Sequence, residues 1–236
     1  MELKLLKIYS PLSLFSHQNP QGNMKSEEAR IAAHVCADGW MSTYVEKDSL
    51  QIVNGRRYHR DRRRYEVGYC NTNKKLLEEF SKDVLGVYKI RVRRRKSTDL
   101  VFKSKRVFSR IKELGGGNTL GWRIGKEILE SKKTVKIFWL RAFFDDEGTV
   151  DRTNFVVRVK SMNRAGLNQA NCLMDTIDVP SRITGPNSDD SWYLTISRRD
   201  LMKFRKTIGF DHPEKKLLLD KILNRPKENR TPLLTL

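Results

Sequence analysis

Residues 26–39, SEEARIAAHVCADG, and residues 134–148, TVKIFWLRAFFDDEG, decide the fold, because each reads as a helix that finishes in an acid and then a glycine. In the first stretch Ser26 is the expected N-cap, and Glu27 and Glu28 suit the positive end of the helix dipole. Ala29, Ala33 and Ala37 recur every four residues and make a face of small side chains, while Ile31 and Val35 mark a greasier one. A small face lets a second helix come close, since interaxial distance follows the side chains at the contact. Gly39 and Gly148 read as the helix stops. An acid is unfavourable at the negative end of a helix dipole, so finding one there twice points to a compensating cation.

Outward from the first helix the pattern changes period. Tyr65, Val67 and Tyr69 alternate with Arg64, Glu66 and Gly68, a strand. Asn73–Leu85 reads as a helix, Lys89–Arg95 and Leu100–Lys103 as strands, and Val107–Leu114 as a helix ending at Gly115. After the glycine run 115–117, Trp122–Ser131 reads as a connecting helix. The order then repeats: Phe155, Val157 and Val159 mark a strand, Gly166–Ile177 a helix, Trp192–Ile196 a strand and Leu201–Ile208 a helix ending at Gly209. YEVGYCNTNKKLL at 65–77 aligns with FVVRVKSMNRAGL at 155–167, and LVFKSKRVFSRIKELG at 100–115 with LTISRRDLMKFRKTIG at 194–209, both without a gap. The chain is therefore an internal duplication. The expected division is a first repeat over 1–117, a connector over 118–133 and a second repeat over 134–236. The main difference is a longer first hairpin, read as a loop carrying Arg56, Arg57, Arg60, Arg62, Arg63 and Arg64.

Composition narrows the partners. The 236 residues carry a net charge of +19, which favours a polyanion. No apolar run approaches the ~20 residues that span a bilayer, and Leu5–Phe15, broken by Lys7 and Pro11, is not expected to be a secretory signal. Cys36, Cys70 and Cys172 lack metal or disulfide spacing and read as reduced, mostly buried thiols of an intracellular protein, in cytoplasm or nucleoid. The stretch after Leu223, with Pro226 and Pro232, reads as loose.

IAAHVCADG at 31–39 and LRAFFDDEG at 140–148 resemble the two nine-residue motifs of the LAGLIDADG homing endonucleases, and the resemblance covers most of 26–222. Two positions of the first motif depart from it: His34 stands where an aliphatic is usual, and Cys36 where an acid is usual. The resemblance implies an α+β fold of two pseudo-symmetric αββαββα repeats. Their motif helices would pair at the centre, and two four-stranded antiparallel sheets would form a saddle on the DNA major groove. It also implies that Asp38 and Glu147 bind divalent metal beside the scissile phosphates, with the main-chain carbonyls of Ala37 and Asp146 as further ligands. Magnesium is the implied ion, with manganese or calcium taking the same sites.

The chemistry fits these residue types. Hydrolysis of a phosphodiester needs an activated water and relief of charge on the leaving oxygen, and a pair of ions can serve both. Magnesium keeps several waters, so one or two carboxylates with phosphate oxygens suffice. A single acid–glycine pair at a helix end is commonplace; two at matching places in a duplicated unit are not. A basic residue near the end of each last strand is implied as well: Lys103 in the first repeat and Arg198 in the second, where Ser197 takes the matching position. For contact with DNA the candidates are Arg56, Arg57, Arg62 and Arg64, the alternating Arg91, Arg93 and Arg95, then Arg158, Lys160, Arg182 and Arg199. Each of these, taken singly, can equally be a solvated charge or a phosphate contact, which positions the protein without specifying sequence. GWRIGK at 121–126 is one residue short of a phosphate-binding loop and has Glu127 where Ser or Thr belongs. Among the histidines, His34 in a core helix is expected to be packed or hydrogen-bonded.

The expectation is a monomeric, magnesium-dependent endonuclease that makes a staggered double-strand cut with 3′ overhangs in a long, asymmetric DNA target. The alternatives on the same scaffold are a maturase that binds intron RNA, and a DNA-binding protein that does not cut. Neither needs Asp38 and Glu147 together.

Overall fold

The computed structural model describes residues 24–224, so the Leu5–Phe15 run and the stretch with Pro226 and Pro232 lie outside the described residues. The first repeat runs α1 (Ser26–Cys36), β1 (Gly39–Val53), β2 (Arg56–Cys70), α2 (Lys74–Tyr88), β3 (Arg93–Arg94), β4 (Asp99–Lys103) and α3 (Lys105–Glu113). A short α4 (Lys126–Leu129) connects it to α5 (Lys133–Glu147), β5 (Gly148–Asp151), β6 (Val156–Ser161), α6 (Arg164–Asp175), β7 (Arg182–Thr184), β8 (Trp192–Ile196) and α7 (Leu201–Thr207). α8 (Pro213–Leu223) follows. Each repeat is thus αββαββα, and the two antiparallel sheets have matching orders, β1-β2-β4-β3 and β5-β6-β8-β7. The α+β class and the two-sheet architecture are as the sequence implied.

α1 serves two cores because it has two faces. Ala29, Ala32, Ala33 and Cys36 join α5 residues Val135, Trp139, Ala142 and Phe143 in a core that continues under the second sheet to Val157, Val159, Leu194 and Ile196. Ile31 and Val35 enter a separate core with Val67, Tyr69, Leu100 and Phe102 of the first sheet. The alanines are fully buried, so α1 and α5 approach at the only face of α1 that can admit a helix carrying Trp and Phe. In both repeats the second strand presents apolar residues inward at every other position. An asparagine then caps the next helix: Asn73 accepts from Lys75 N and Leu76 N, and Asn163 from Gly166 N.

Several expectations change. The N-cap of α1 is Lys25, with no side-chain cap, rather than Ser26. Gly39 and Gly148 do not stop their helices through a left-handed turn: Gly148 has φ −73° and opens β5. Both are glycine because the chain doubles back tightly. A Cβ on Gly39 would lie 2.8 Å from the Gly68 carbonyl oxygen, and one on Gly148 would overlap the Phe144 carbonyl. The seven-residue strand expected over Lys89–Arg95 is a two-residue one, because Lys89 is left-handed (φ 58°) as it closes α2, and Ile90 and Val92 then pack onto the core. The connecting helix shrinks to α4, since Trp122 and Ile124 are pinned outside any helix, Trp122 against Trp139 and Phe143, and Ile124 N on Gln169 Oε1. The arginine-rich segment is no loop. Residues 56–64 are part of β2, paired with β1 through a two-residue turn at Asn54–Gly55, whose φ values of 50° and 76° suit a hairpin. Within β2 only Glu66–Cys70 pairs with β4, so the outer part of this hairpin projects as an arm. Of the thiols, only Cys36 is buried; Cys70 and Cys172 are exposed.

Candidate active site

The paired helices α1 and α5 end side by side, and their terminal acids come with them. Asp38 follows α1 and Glu147 is the last residue of α5, each just before the strand that starts its sheet. The Asp38 carboxylate is open to solvent at its tip but walled by protein. Burial pushes its pKa up to about 6, helped by the negative charge of Asp146 and opposed by Lys215, His34 and a hydrogen bond from Asn71. Glu147 is half-buried and is pushed up to about 7 by burial, then by Asp38 and Asp146, with Lys215 opposing. Each acid therefore feels the other side's negative charge, as two groups meeting at a pseudo-twofold axis should.

Asp146 turns the other way. Its side chain is fully buried and accepts three hydrogen bonds: His34 Nδ1 at 2.8 Å, Tyr69 Oη at 2.7 Å and Asn71 Nδ2 at 3.1 Å. Asn71 Nδ2 also donates to Asp38 Oδ2 at 3.1 Å. Burial lowers the His34 pKa, but the charge and hydrogen bond of Asp146 outweigh it and the net shift is upward. Among the described residues, no three His, Cys, Asp or Glu side chains converge as a closed metal cage. One carboxylate from each repeat, open on one side, is a donor set of the kind magnesium or manganese uses with phosphate oxygens.

The sheets carry the positive charge on the face away from the helices. In the second sheet Thr149, Arg158, Thr195 and Arg182 line up across four strands, beside Lys160, Tyr193 and Thr184. Arg158 stacks 5.0 Å over Tyr193 and pairs with Asp151, and Lys160 pairs with Asp189. In the first sheet Arg93 belongs to the same face as Trp40, and Arg95 stacks 5.0 Å over that ring with Glu66 and Asp99 beside it. The face continues outward along the arm through Arg64, paired with Glu46, then Arg62, Arg60 and Arg56, while Arg57 and Arg63 point to the opposite side. Arg91 and Arg199 are exposed.

Residues 134–209, from α5 through α7, match the model of the LAGLIDADG-like domain family. The second repeat is thus similar to a LAGLIDADG-like domain. The chain is 24% identical to the replication factor C small subunit of Thermococcus kodakarensis over 97% of its own length but 27% of that protein, so it spans about a quarter of the curated relative it matches. Its fold is similar to that of I-DmoI in complex with DNA and calcium, with TM-score 0.58 and 18% identity over 83% of this chain and 97% of that one. Mesophilic variants of the homing endonuclease I-DmoI give 0.57 and 19% over 78% and 95%. Full-length DUF199/WhiA from Thermatoga maritima gives 0.50 and 14% over 84% and 60%. At these identities the likeness is one of fold.

The two departures from the LAGLIDADG motif acquire reasons. His34 is there to meet Asp146 across the helix pair. Cys36 occupies the place that Asp145 takes in the second motif, and the backbone opposite each differs. Asp145 is buried and accepts the N–H groups of Asp211 and His212 at 2.9 Å, whereas the Cys36 thiol faces the Gly115 carbonyl at 3.6 Å. A carboxylate suits a loop that offers donors, and a thiol one that offers an acceptor.

Asp145 thereby fixes the entry to α8, and α8 delivers a residue that sequence reading missed. Lys215 Nζ donates to the carbonyls of Asp145 at 2.5 Å and Asp146 at 2.8 Å. It is the leading positive charge acting on both Asp38 and Glu147, and burial lowers its own pKa. The signal was present in His212, Pro213 and Glu214, which read as N-cap, N1 proline and first-turn acid. Lys103 stands 5.3 Å from the Tyr44 ring and acts on Glu46, and Arg198 lies 4.6 Å over Phe155. Of the two expected backbone ligands, the Asp146 carbonyl already holds the Lys215 ammonium.

Proposed function

We propose that this protein is a site-specific, divalent-metal-dependent DNA endonuclease acting as a monomer in the cell interior. The carrying observation is that both terminal acids meet at the end of one helix pair, between two sheets with basic outer faces. The excess of negative charge from Asp38, Asp145, Asp146 and Glu147 over Lys215 favours a cation there, and the open, all-oxygen donor set suits magnesium, manganese or calcium. Asp38 and Glu147 would hold it, with the Ala37 carbonyl as a further donor and the Asp146 carbonyl available once Lys215 moves off. When bound, the metal supplies charge neutralisation at the phosphate and a water of lowered pKa.

The chain's own residues do the rest. The sheets set the duplex across the two acids, with Arg158, Lys160, Arg182, Arg93 and Arg95 facing the groove. The arm adds Arg56, Arg60, Arg62 and Arg64 to the first half-site, and Arg57 and Arg63 on its other side. Lys215 is placed to steady the charge that builds on a phosphate at the acids, and Lys103 and Arg198 are the other basic candidates for that role. Non-identical sheets imply a target that is not palindromic, cut on both strands with a stagger. Among the described residues no helix is long and apolar enough to cross a membrane.

The test is to present a library of randomised duplexes to the protein with magnesium and with chelator, and to recover cut molecules. Discrete magnesium-dependent double-strand cuts with 3′ overhangs, reduced to single-strand nicks in Asp38→Asn or in Glu147→Gln and lost when both are changed, while binding persists, are the expected result. Recovery of tightly bound but uncut duplexes would favour a DNA-binding protein that does not cut. Preference for structured intron RNA over every duplex would favour a maturase.

A further inference from the structure

The two halves of the centre are not alike, and the differences all fall on one side of the pseudo-twofold axis. Matching the repeats sets His34 against Phe143, Asp146 against Ala37, Tyr69 against Val159 and Asn71 against Ser161. The first member of each pair belongs to the hydrogen-bonded cluster beneath Asp38. The second members do not reproduce it: three are apolar, and Ser161, which accepts from Asn163 N at 3.1 Å as Asn71 accepts from Asn73 N, has a single hydroxyl hydrogen where the Asn71 amide has two. The lysines differ too. Asn73 lies 3.4 Å from His212 just before α8, and Asn163 donates to the Trp122 carbonyl just before α4, but Lys215 is the third residue of its helix and Lys126 the first. Lys215 is half-buried over the centre, whereas Lys126 is 84% exposed and pairs with Glu130. Among the described residues no side chain hydrogen-bonds to Glu147.

A carboxylate that must grip a metal ion and a phosphate at the same instant works faster when its orientation is fixed beforehand. Asn71 fixes Asp38, and Asn71 is itself fixed, because the same amide nitrogen is held by Asp146, which His34 and Tyr69 hold in turn. We propose that the two strands of the target are cut in order: the strand served by Asp38 first, because Asn71 presets that carboxylate, and the strand served by Glu147 second. Asn71 is on this view a positioning residue for one strand only. The inference rests on the endonuclease reading above.

The experiment uses the full chain and a duplex recovered from the library, with the two strands carrying different end labels. Asp38→Asn and Glu147→Gln first assign each strand to its acid. The wild-type protein should accumulate a nick on the Asp38 strand, cut about tenfold faster than the other, the worth of one hydrogen bond to a charged group. Asn71→Ala should slow the Asp38 strand by that factor and leave the Glu147 strand unchanged; a merely structural defect would slow both. Calcium titration of the protein–duplex complex gives a second readout, in which Asn71→Ala weakens one of two binding events. Equal strand rates would overturn the proposal. So would a strand preference or calcium affinities indifferent to Asn71→Ala, which would place the inequality in the DNA. Calcium-supported binding of a duplex that is never cut on either strand would instead sink the endonuclease reading, and the order of cutting with it.

Discussion

His34 Nδ1 and Asp146 Oδ2 lie 2.8 Å apart with both side chains essentially excluded from solvent, and they join the motif helix of one repeat to that of the other. Removing one partner strands the other. His34→Ala is expected to cost about 3 kcal/mol, because Asp146 is left buried with weaker compensation. His34→Phe combined with Asp146→Ala restores the pairing seen at Phe143 and Ala37, the matching positions, and should recover more than half of that cost. Chemical denaturation of both single variants and the double variant measures the coupling. Additive single effects would mean that the pair contributes nothing as a pair.

The helix seam is a matter of size. Ala33 is fully buried against α5, where Trp139 and Phe143 leave no room for a longer side chain. Ala33→Leu should destabilise by about 1–3 kcal/mol through overpacking, while Ala37→Leu, at the partly buried end of the same face, should cost less. Thermal melts of the two variants provide the comparison. An equal cost at both sites would show that the seam does not tighten toward its middle.

The pH dependence of stability follows from the acids. Asp38, Asp145 and Glu147 have pKa values raised to about 6, about 7 and about 7, above their unfolded values, so the folded chain binds more protons than the unfolded one between about pH 4 and 7. Stability should therefore fall as pH rises through that window. His34, also raised, acts in the same direction: its contribution is present at low pH and disappears as pH passes its folded pKa. Calcium at about pH 7.5 should return part of the stability by binding the ionised acids. Melting temperature against pH, with and without calcium, is the measurement, and a curve that rises toward pH 7 without metal would contradict the electrostatic account.

The helices and inner strands were legible because burial imposes a period: every fourth residue small along α1, and every second residue apolar along Val157–Val159 or Val67–Tyr69. The elements missed had no such imprint. β5 has four residues and β7 three, too short for a period to show. The outer arm is exposed on both faces and alternates nothing, although Asn54–Gly55 was a hairpin signal in plain view. Asp38 and Glu147 could be named because each sits in a local motif. Lys215 and Asn71 could not, since their roles depend on contacts with residues 69 and 75 positions away in the chain.

The arm offers the cleanest test of how the duplex is held. Residues 56–63 are all exposed and belong to neither core, so their substitution should leave the fold within about 0.5 kcal/mol of its original stability. Changing Arg56, Arg57, Arg60, Arg62 and Arg63 together to Ser removes positive charge from both sides of the hairpin. If these side chains lie along the duplex, each phosphate that is no longer neutralised lowers the slope of log affinity against log salt by about 0.9. Binding to a random-sequence duplex, measured across a range of salt, reads this directly and needs neither target nor metal. A slope reduced by about two units or more, with the footprint shortened at one end only, would place the arm along the first half-site. An unchanged slope would mean that the arm points away from the DNA and that the groove faces of the two sheets carry the affinity alone.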